Sequence, residues 1–177
     1  MAGRLVAVVG PSGAGKDTVI DGARRRLAGD PAIVFVRRVV TRPAGAGGED
    51  HIPATTAEFC AIKAAGGFLL DWEAHGIRYG IPASVAEDVA RGLVCVANLS
   101  RAAVAHARRL LPTTVVEITA PIPVLAERLA RRGRESAADI TERLERAGAV
   151  AIDADTVIVN DGAIEDAVAA LVTTLHA

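Results

Sequence analysis

The chain has 177 residues, is 51% hydrophobic, 23% charged and 3% aromatic, and carries a formal net charge of -1. A length of this order fits one domain that can bury roughly 70% of its unfolded surface without disulfides or structural metals. General disorder is excluded by the apolar content, and an overall basic nucleic-acid binder by the balance of 20 Lys+Arg against 21 Asp+Glu; three Phe, one Tyr and one Trp are too few for base stacking.

Residues 5–9 form the first apolar run and read as a buried strand. A glycine-rich loop, 10–18, follows directly, and Val19, Ile20, Ala23 and Leu27 then recur at helical spacing. A second strand is predicted over 33–36 with 39–40. Residues 42–50 make a second glycine-rich loop, expected to be mobile. Thr55 with Glu58, and Ser84 with Glu87, have the spacing of capping boxes and predict two helix starts. Further strands are predicted at 93–97, 115–119 and 156–159, each bounded by Gly, Pro or polar residues. Pro123 suits the first turn of a helix that stops at Gly133, and the charge-dense stretch 128–146 is the second expected mobile part. Strand and helix alternating in this way predict an α/β fold, a parallel sheet with helices on both faces.

Gly10, Pro11, Ser12, Gly13, Ala14, Gly15, Lys16, Asp17 and Thr18 carry the clearest chemistry. Glycines at this spacing let backbone N–H groups curl around an anion, and the following helix adds its positive end. Lys16 then reaches the terminal phosphates of a nucleoside triphosphate, with ATP the expected donor. The residue after the lysine is usually Ser or Thr, whose hydroxyl touches Mg2+; here it is Asp17, followed by Thr18. Two readings stand: Asp17 ligates Mg2+ directly or through water, or it complements the helix dipole while Thr18 takes the metal. No Asn-Lys-x-Asp base reader of a switch GTPase is present.

Cys60 and Cys95 are too few for a zinc site or a disulfide framework, which suits a reducing, cytoplasmic compartment. No signal peptide is readable, and apolar runs of about ten residues are too short to cross a bilayer, so neither membrane nor nucleic acid is an expected partner. Lysine is nearly absent, and arginine, which never deprotonates and binds phosphate through two parallel hydrogen bonds, carries the positive charge.

Beyond the loop, the chain shows Arg38 with Thr41, Arg42 and Pro43, then Gly48, Glu49, Asp50 and His51. Glu58 and Phe59, Gly67 and Phe68, His75 and Gly76, and Tyr79, Gly80, Ile81 and Pro82 follow. Later come Arg128 and Leu129, Arg132, Gly133, Arg134 and Glu135, Glu142, Arg143 and Leu144, and Val159, Asn160 and Asp161. In this order they resemble the guanylate kinase superfamily over essentially the whole chain. Gly15 to Thr18, Val40 to Pro43, Gly48 to His51, Trp72 to Pro82, and Val96 to Arg101 are most similar to the ribose 1,5-bisphosphate phosphokinases within it. The resemblance implies a P-loop NTPase core with a parallel sheet over about 1–36 and 92–177, an acceptor-binding arm over about 37–91 and a helical lid over about 128–146, in a single domain. It also implies ATP and Mg2+ as cofactors. The γ-phosphoryl group would pass to the 1-phosphate of ribose 1,5-bisphosphate, giving 5-phospho-α-D-ribose 1-diphosphate and ADP in phosphonate breakdown.

Guanylate kinase is the alternative, but its base readers are missing. Leu70 and Pro82 stand where that pattern has Glu and Ser, His51 where it usually has Tyr, and Ala97 or Asn98 where it has an acidic residue. Guanine would leave its donors unpaired there. The resemblance assigns Lys16, Arg132 and Arg143 to catalysis and Arg38, Arg42 and Tyr79 to the acceptor phosphate. His51, and less so His75, could bond sugar hydroxyls, and Arg37, Arg78 and Arg101 are candidates for the second phosphate. Cys95 reads as strand filler and Trp72 as packing under the arm. A silent binding module on the same fold would be expected to lose the phosphate loop, which is intact here.

Overall fold

The computed structural model of the chain describes residues 2–45, 49–131, 144 and 152–177. Its elements are β1 (Arg4–Val9), α1 (Lys16–Arg26), β2 (Ile33–Phe35), β3 (Val39–Val40), β4 (Ile52–Pro53), α2 (Thr56–Ala64), β5 (Phe68–Ala74), β6 (Ile77–Pro82) and α3 (Ser84–Ala90). Then come β7 (Val94–Asn98), a 3-10 turn (Arg101–Ala103), α4 (Val104–Leu110), β8 (Thr113–Thr119), α5 (Ile122–Arg131), β9 (Thr156–Val159) and α6 (Ile164–His176). Five strands form one sheet in the order β2-β7-β1-β8-β9, in which β2 pairs with β7 and β8 with β9 in parallel. This is the α/β architecture the alternation predicts. The chain divides into two compact units, residues 1–7 with 29–114, and 8–28 with 115–177.

Strand β1 explains itself. Leu5, Val6, Ala7, Val8 and Val9 are all fully buried, as a central strand covered on both faces requires. Each of the larger aliphatic side chains contributes about 2 kcal/mol by leaving water.

The unit of 1–7 and 29–114 holds a second sheet, β4-β3-β6-β5, that the apolar runs do not announce. Its centre is an antiparallel hairpin of β5 and β6, with Trp72 opposite Tyr79 and Leu70 opposite Ile81. His75 and Gly76 close the hairpin, both at positive φ (53° and 72°), which matches the twist of the flanking strands. The single strand expected over 33–36 and 39–40 is two: β2 belongs to the first sheet and β3 to the second. Arg37 and Arg38 lie between them and take carboxylate partners from Asp50 and Glu49, which turns the chain from one sheet to the other.

The capping box at Thr55 forms as expected: Thr55 Oγ1 accepts from Glu58 N at 3.2 Å, and Glu58 Oε2 accepts from Thr55 N at 2.7 Å. These bonds to Thr55, backbone first and side chain second, hold the Glu58 carboxyl below its ordinary pKa. The one expected at Ser84 does not form. Ala83 is the N-cap, in helical conformation and with no side-chain cap, because its N–H is drawn to Gly67 O at 2.9 Å and starts the turn a residue early. Helix α5 begins at Ile122 with Pro123 in its first turn, while its expected stop at Gly133 lies outside the described residues.

Candidate active site

In the unit of 8–28 and 115–177, β1 ends and the chain enters the loop at Gly10 with φ 139°. A Cβ there would lie 2.0 Å from Ile118 O, so only glycine fits. Gly15, at φ 86°, is the N-cap of α1 and supplies no side-chain cap to its first turn. A Cβ on Gly15 would lie 2.6 Å from Asn160 Nδ2. With no side-chain cap at Gly15, the positive end of the helix suits an anion. Lys16 Nζ donates to Gly10 O at 2.9 Å and to Pro11 O at 3.0 Å, which holds the ammonium within the loop.

Asn160, at the end of β9, fastens this loop. It is 3% exposed, its Nδ2 donates to Ala14 O at 2.8 Å, and its own N–H reaches Thr119 O at 2.7 Å. Its Oδ1 is buried and lacks a partner among the described residues. This role is not readable from spacing, because 146 positions separate Asn160 from Ala14. Asn160 enters the sequence reading only within the run Val159, Asn160, Asp161 of the resemblance, with no role attached.

No group of three or more His, Cys, Asp or Glu among the described residues could hold a metal by itself. Asp17, half-buried in the first turn of α1, and the exposed Thr18 are hard oxygen donors beside the loop. That pair fits Mg2+ carried in with phosphate oxygens and water as its other ligands.

The second cluster lies in the unit of 1–7 and 29–114. Arg38 is 7% exposed and grips Glu49 with two bonds, Nε to Oε1 at 2.6 Å and Nη2 to Oε2 at 2.5 Å. The same Oε2 accepts from Arg42 Nη2 at 3.4 Å, and Arg42 Nε is buried without a partner among the described residues. Tyr79 stacks on Trp72 (centroids 5.5 Å apart, planes at 9°), and the Arg38 guanidinium carbon lies 4.9 Å from the Tyr79 ring centre and 5.8 Å from that of Trp72. Cation–π contact of this kind fixes the plane of a buried guanidinium. Arg38, Arg42 and Tyr79 are thus brought together, two cations against one carboxylate, which suits a further anion.

His51, expected to reach a sugar hydroxyl, has a different setting. It is 4% exposed, with Nδ1 2.9 Å from Glu49 O and Nε2 3.1 Å from Arg42 O. Both ring nitrogens face main-chain carbonyls, and whichever carries the proton donates to its carbonyl, so the ring packs between the two ends of the glycine-rich loop rather than presenting a polar atom to a ligand. His75 is exposed in the hairpin turn. Arg37 bonds Asp50 Oδ1 (2.9 Å) and His51 O (3.2 Å); Arg78 lies near Glu73 (3.4 Å) and donates to Cys60 Sγ (2.9 Å). Trp72 is half-buried and stacks on Tyr79. Cys95 is buried filler in β7, and burial first, then the charge of Asp88, pushes its thiol up to about 11. Arg132 and Arg143 lie outside the described residues, as does most of the expected lid. Leu70 is 3% exposed on β5, and Pro82 sits opposite Phe68 on β6, so the two positions at which the resemblance expects a guanine reader fall within the hairpin.

No family model matches the chain. Guanylate kinase from Anaplasma phagocytophilum has the same fold, with a TM-score of 0.68 and 22% identity over 99% of this chain and 85% of that one. Together with the phosphate loop, this defines a P-loop protein of guanylate kinase-like fold. Two relatives are much closer in sequence. Ribose 1,5-bisphosphate phosphokinase of Acidiphilium cryptum is 52% identical over 98% of this chain and 93% of its own length, and that of Methylobacterium radiotolerans 51% identical over 100% and 99%. The chain belongs to the ribose 1,5-bisphosphate phosphokinase family, which is a family of phosphotransferases. No described helix is long and apolar enough to cross a membrane.

Proposed function

We infer that this chain transfers the γ-phosphoryl group of ATP to the 1-phosphate of ribose 1,5-bisphosphate, giving 5-phospho-α-D-ribose 1-diphosphate and ADP in phosphonate breakdown in the cytoplasm. The near full-length identity to enzymes of that name carries the reading. Apolar Leu70 and Pro82 at the guanine-reader positions support it, since they offer a base no polar partner.

An oxygen of the acceptor phosphate attacks Pγ; the bond from that oxygen to Pγ forms and the bond from Pγ to the β,γ-bridging oxygen breaks. A phosphate monoester has its second pKa near 6, so the acceptor is already a dianion at neutral pH and no general base is needed. The obstacle is repulsion between two polyanions, which positive charge and positioning overcome. The 10–18 loop cradles the triphosphate, and Lys16 exchanges its loop carbonyls for the terminal phosphate oxygens. Asp17 and Thr18 would hold Mg2+, which would supply positive charge against the triphosphate. Arg38, Arg42 and Tyr79 hold the acceptor phosphate, on an arm spanning about 37–91. In this reading Arg132 and Arg143 close over the transferring group from a lid over about 128–146, excluding water that would otherwise hydrolyse ATP.

The test is turnover of ribose 1,5-bisphosphate and of GMP with ATP and Mg2+, with the product identified by mass. Formation of the pentose diphosphate is expected; faster turnover of GMP would overturn the reading.

A further inference from the structure

We propose that Glu49 is the positioning residue of the acceptor clamp: it grips one edge of the Arg38 guanidinium and so presents the opposite edge to the acceptor phosphate. The proposal rests on the acceptor assignment above and assigns how that site is built. A guanidinium has five N–H groups and two edges able to bind an oxyanion in parallel. Glu49 takes the Nε and Nη2 bonds of one edge. No described residue takes the edge made by Nη1 and the second Nη2 hydrogen. Rotation of the plane is opposed by the stacked Tyr79 and Trp72 rings.

Glu49 also sets the spacing of the pair, since its Oε2 reaches Arg42 Nη2 as well. Its backbone is in turn braced by the buried His51 ring, whose nitrogens lie 2.9 Å from Glu49 O and 3.1 Å from Arg42 O, the protonated one donating. The clamp is therefore oriented before any acceptor arrives, and part of the ordering cost of binding is removed. Arg42 Nε, buried and unpartnered among the described residues, is a second donor kept for the incoming phosphate.

The experiment compares wild type, Glu49→Gln, Glu49→Asp, Arg38→Lys and the double variant Arg38→Lys/Glu49→Gln. Acceptor KM, kcat, ATP affinity and melting temperature are measured for each. Glu49→Gln should raise acceptor KM about tenfold, the worth of one charge-assisted hydrogen bond, with kcat and ATP affinity within about twofold of wild type. Glu49→Asp keeps the buried charge paired but withdraws the carboxylate by one methylene; it should restore melting temperature and leave KM raised. In the Arg38→Lys background, Glu49→Gln should change KM less than about twofold, because it acts through Arg38. An unchanged or lower KM in Glu49→Gln, additive effects in the double variant, or recovery of KM by aspartate would each overturn the proposal. Calorimetry with inorganic phosphate, with the donor loop saturated by a non-hydrolysable ATP analogue, separates this from the choice of substrate. Should wild type fail to turn over ribose 1,5-bisphosphate, the reaction falls, and the phosphate titration alone decides on Glu49. Weaker phosphate binding in Glu49→Gln than in wild type supports the role; equal binding, or none in wild type, overturns it.

Discussion

Removing the Asn160 side chain tests how the donor loop is held. In Asn160→Ala the buried Ala14 carbonyl loses its donor at 2.8 Å, a loss of about 1–3 kcal/mol when a buried acceptor is left unpaired. The truncation also removes Oδ1, itself buried without a partner among the described residues, which offsets part of that loss. A net destabilisation of about 2 kcal/mol is expected, hence a fall in melting temperature of roughly 6 °C for a chain of this size. ATP affinity should weaken about tenfold, because the loop amides no longer converge. Asn160→Asp is nearly isosteric and should be worse. It sets an acceptor-only carboxylate against the Ala14 carbonyl and adds a buried negative charge beside a loop that binds polyphosphate. Thermal unfolding and titration with ATP measure both effects. Wild-type affinity in Asn160→Asp, or no change of either kind in Asn160→Ala, would refute the account of the fastening.

Lys16→Ala should abolish detectable phosphoryl transfer while melting within a few degrees of wild type, because the ammonium is held by carbonyls of the loop itself, Gly10 O and Pro11 O, rather than by the core. For Asp17→Ser, a Mg2+ titration of turnover should show a higher Mg2+ requirement; an unchanged requirement assigns the metal to Thr18 and leaves Asp17 to the helix dipole. The Glu58 carboxyl is held below its ordinary pKa in the fold, so its support of α2 is complete above the unfolded value and is lost as pH falls through the lower, folded one. Glu58→Gln should therefore flatten the acid limb of the melting-temperature profile below the ordinary carboxylate range and leave the neutral region with the smaller capping loss. An acid limb identical to wild type would remove Glu58 as its cause.

The donor loop was legible because its chemistry is local: strand, glycines, lysine and helix follow one another without a gap. Fold class was legible for the same reason, since strands such as β1 and β9 are short β-branched runs between polar breaks. The second sheet was not. Strand β5 reads Phe-Leu-Leu-Asp-Trp-Glu-Ala, with no clean alternation, and its turn is His-Gly rather than the commoner Asn-Gly. Arg38, Arg42 and Tyr79 stood out through the resemblance, but Glu49 as their shared partner needed the fold, which closes the 11 positions between Arg38 and Glu49. His51 could not be judged from its sequence, because its partners are carbonyls that every residue carries. The capping boxes show the limit of a spacing rule: Thr55 obeys it, while Ser84 loses to a backbone bond made at the neighbouring Ala83.

Strand β1 is synthesised first and sits third in a five-stranded order, between β7 at Val94–Asn98 and β8 at Thr113–Thr119. Its unpaired N–H and C=O groups, between the apolar side chains of Leu5 to Val9, therefore have no neighbouring strand until more than half of the polypeptide has been made. The entropy of closing those long loops must be met before any pairing rewards it, which makes the topology slow to form. A nascent chain stalled before β7 would expose a sticky, unpaired segment, and holding that segment apart is a task for chaperones during translation.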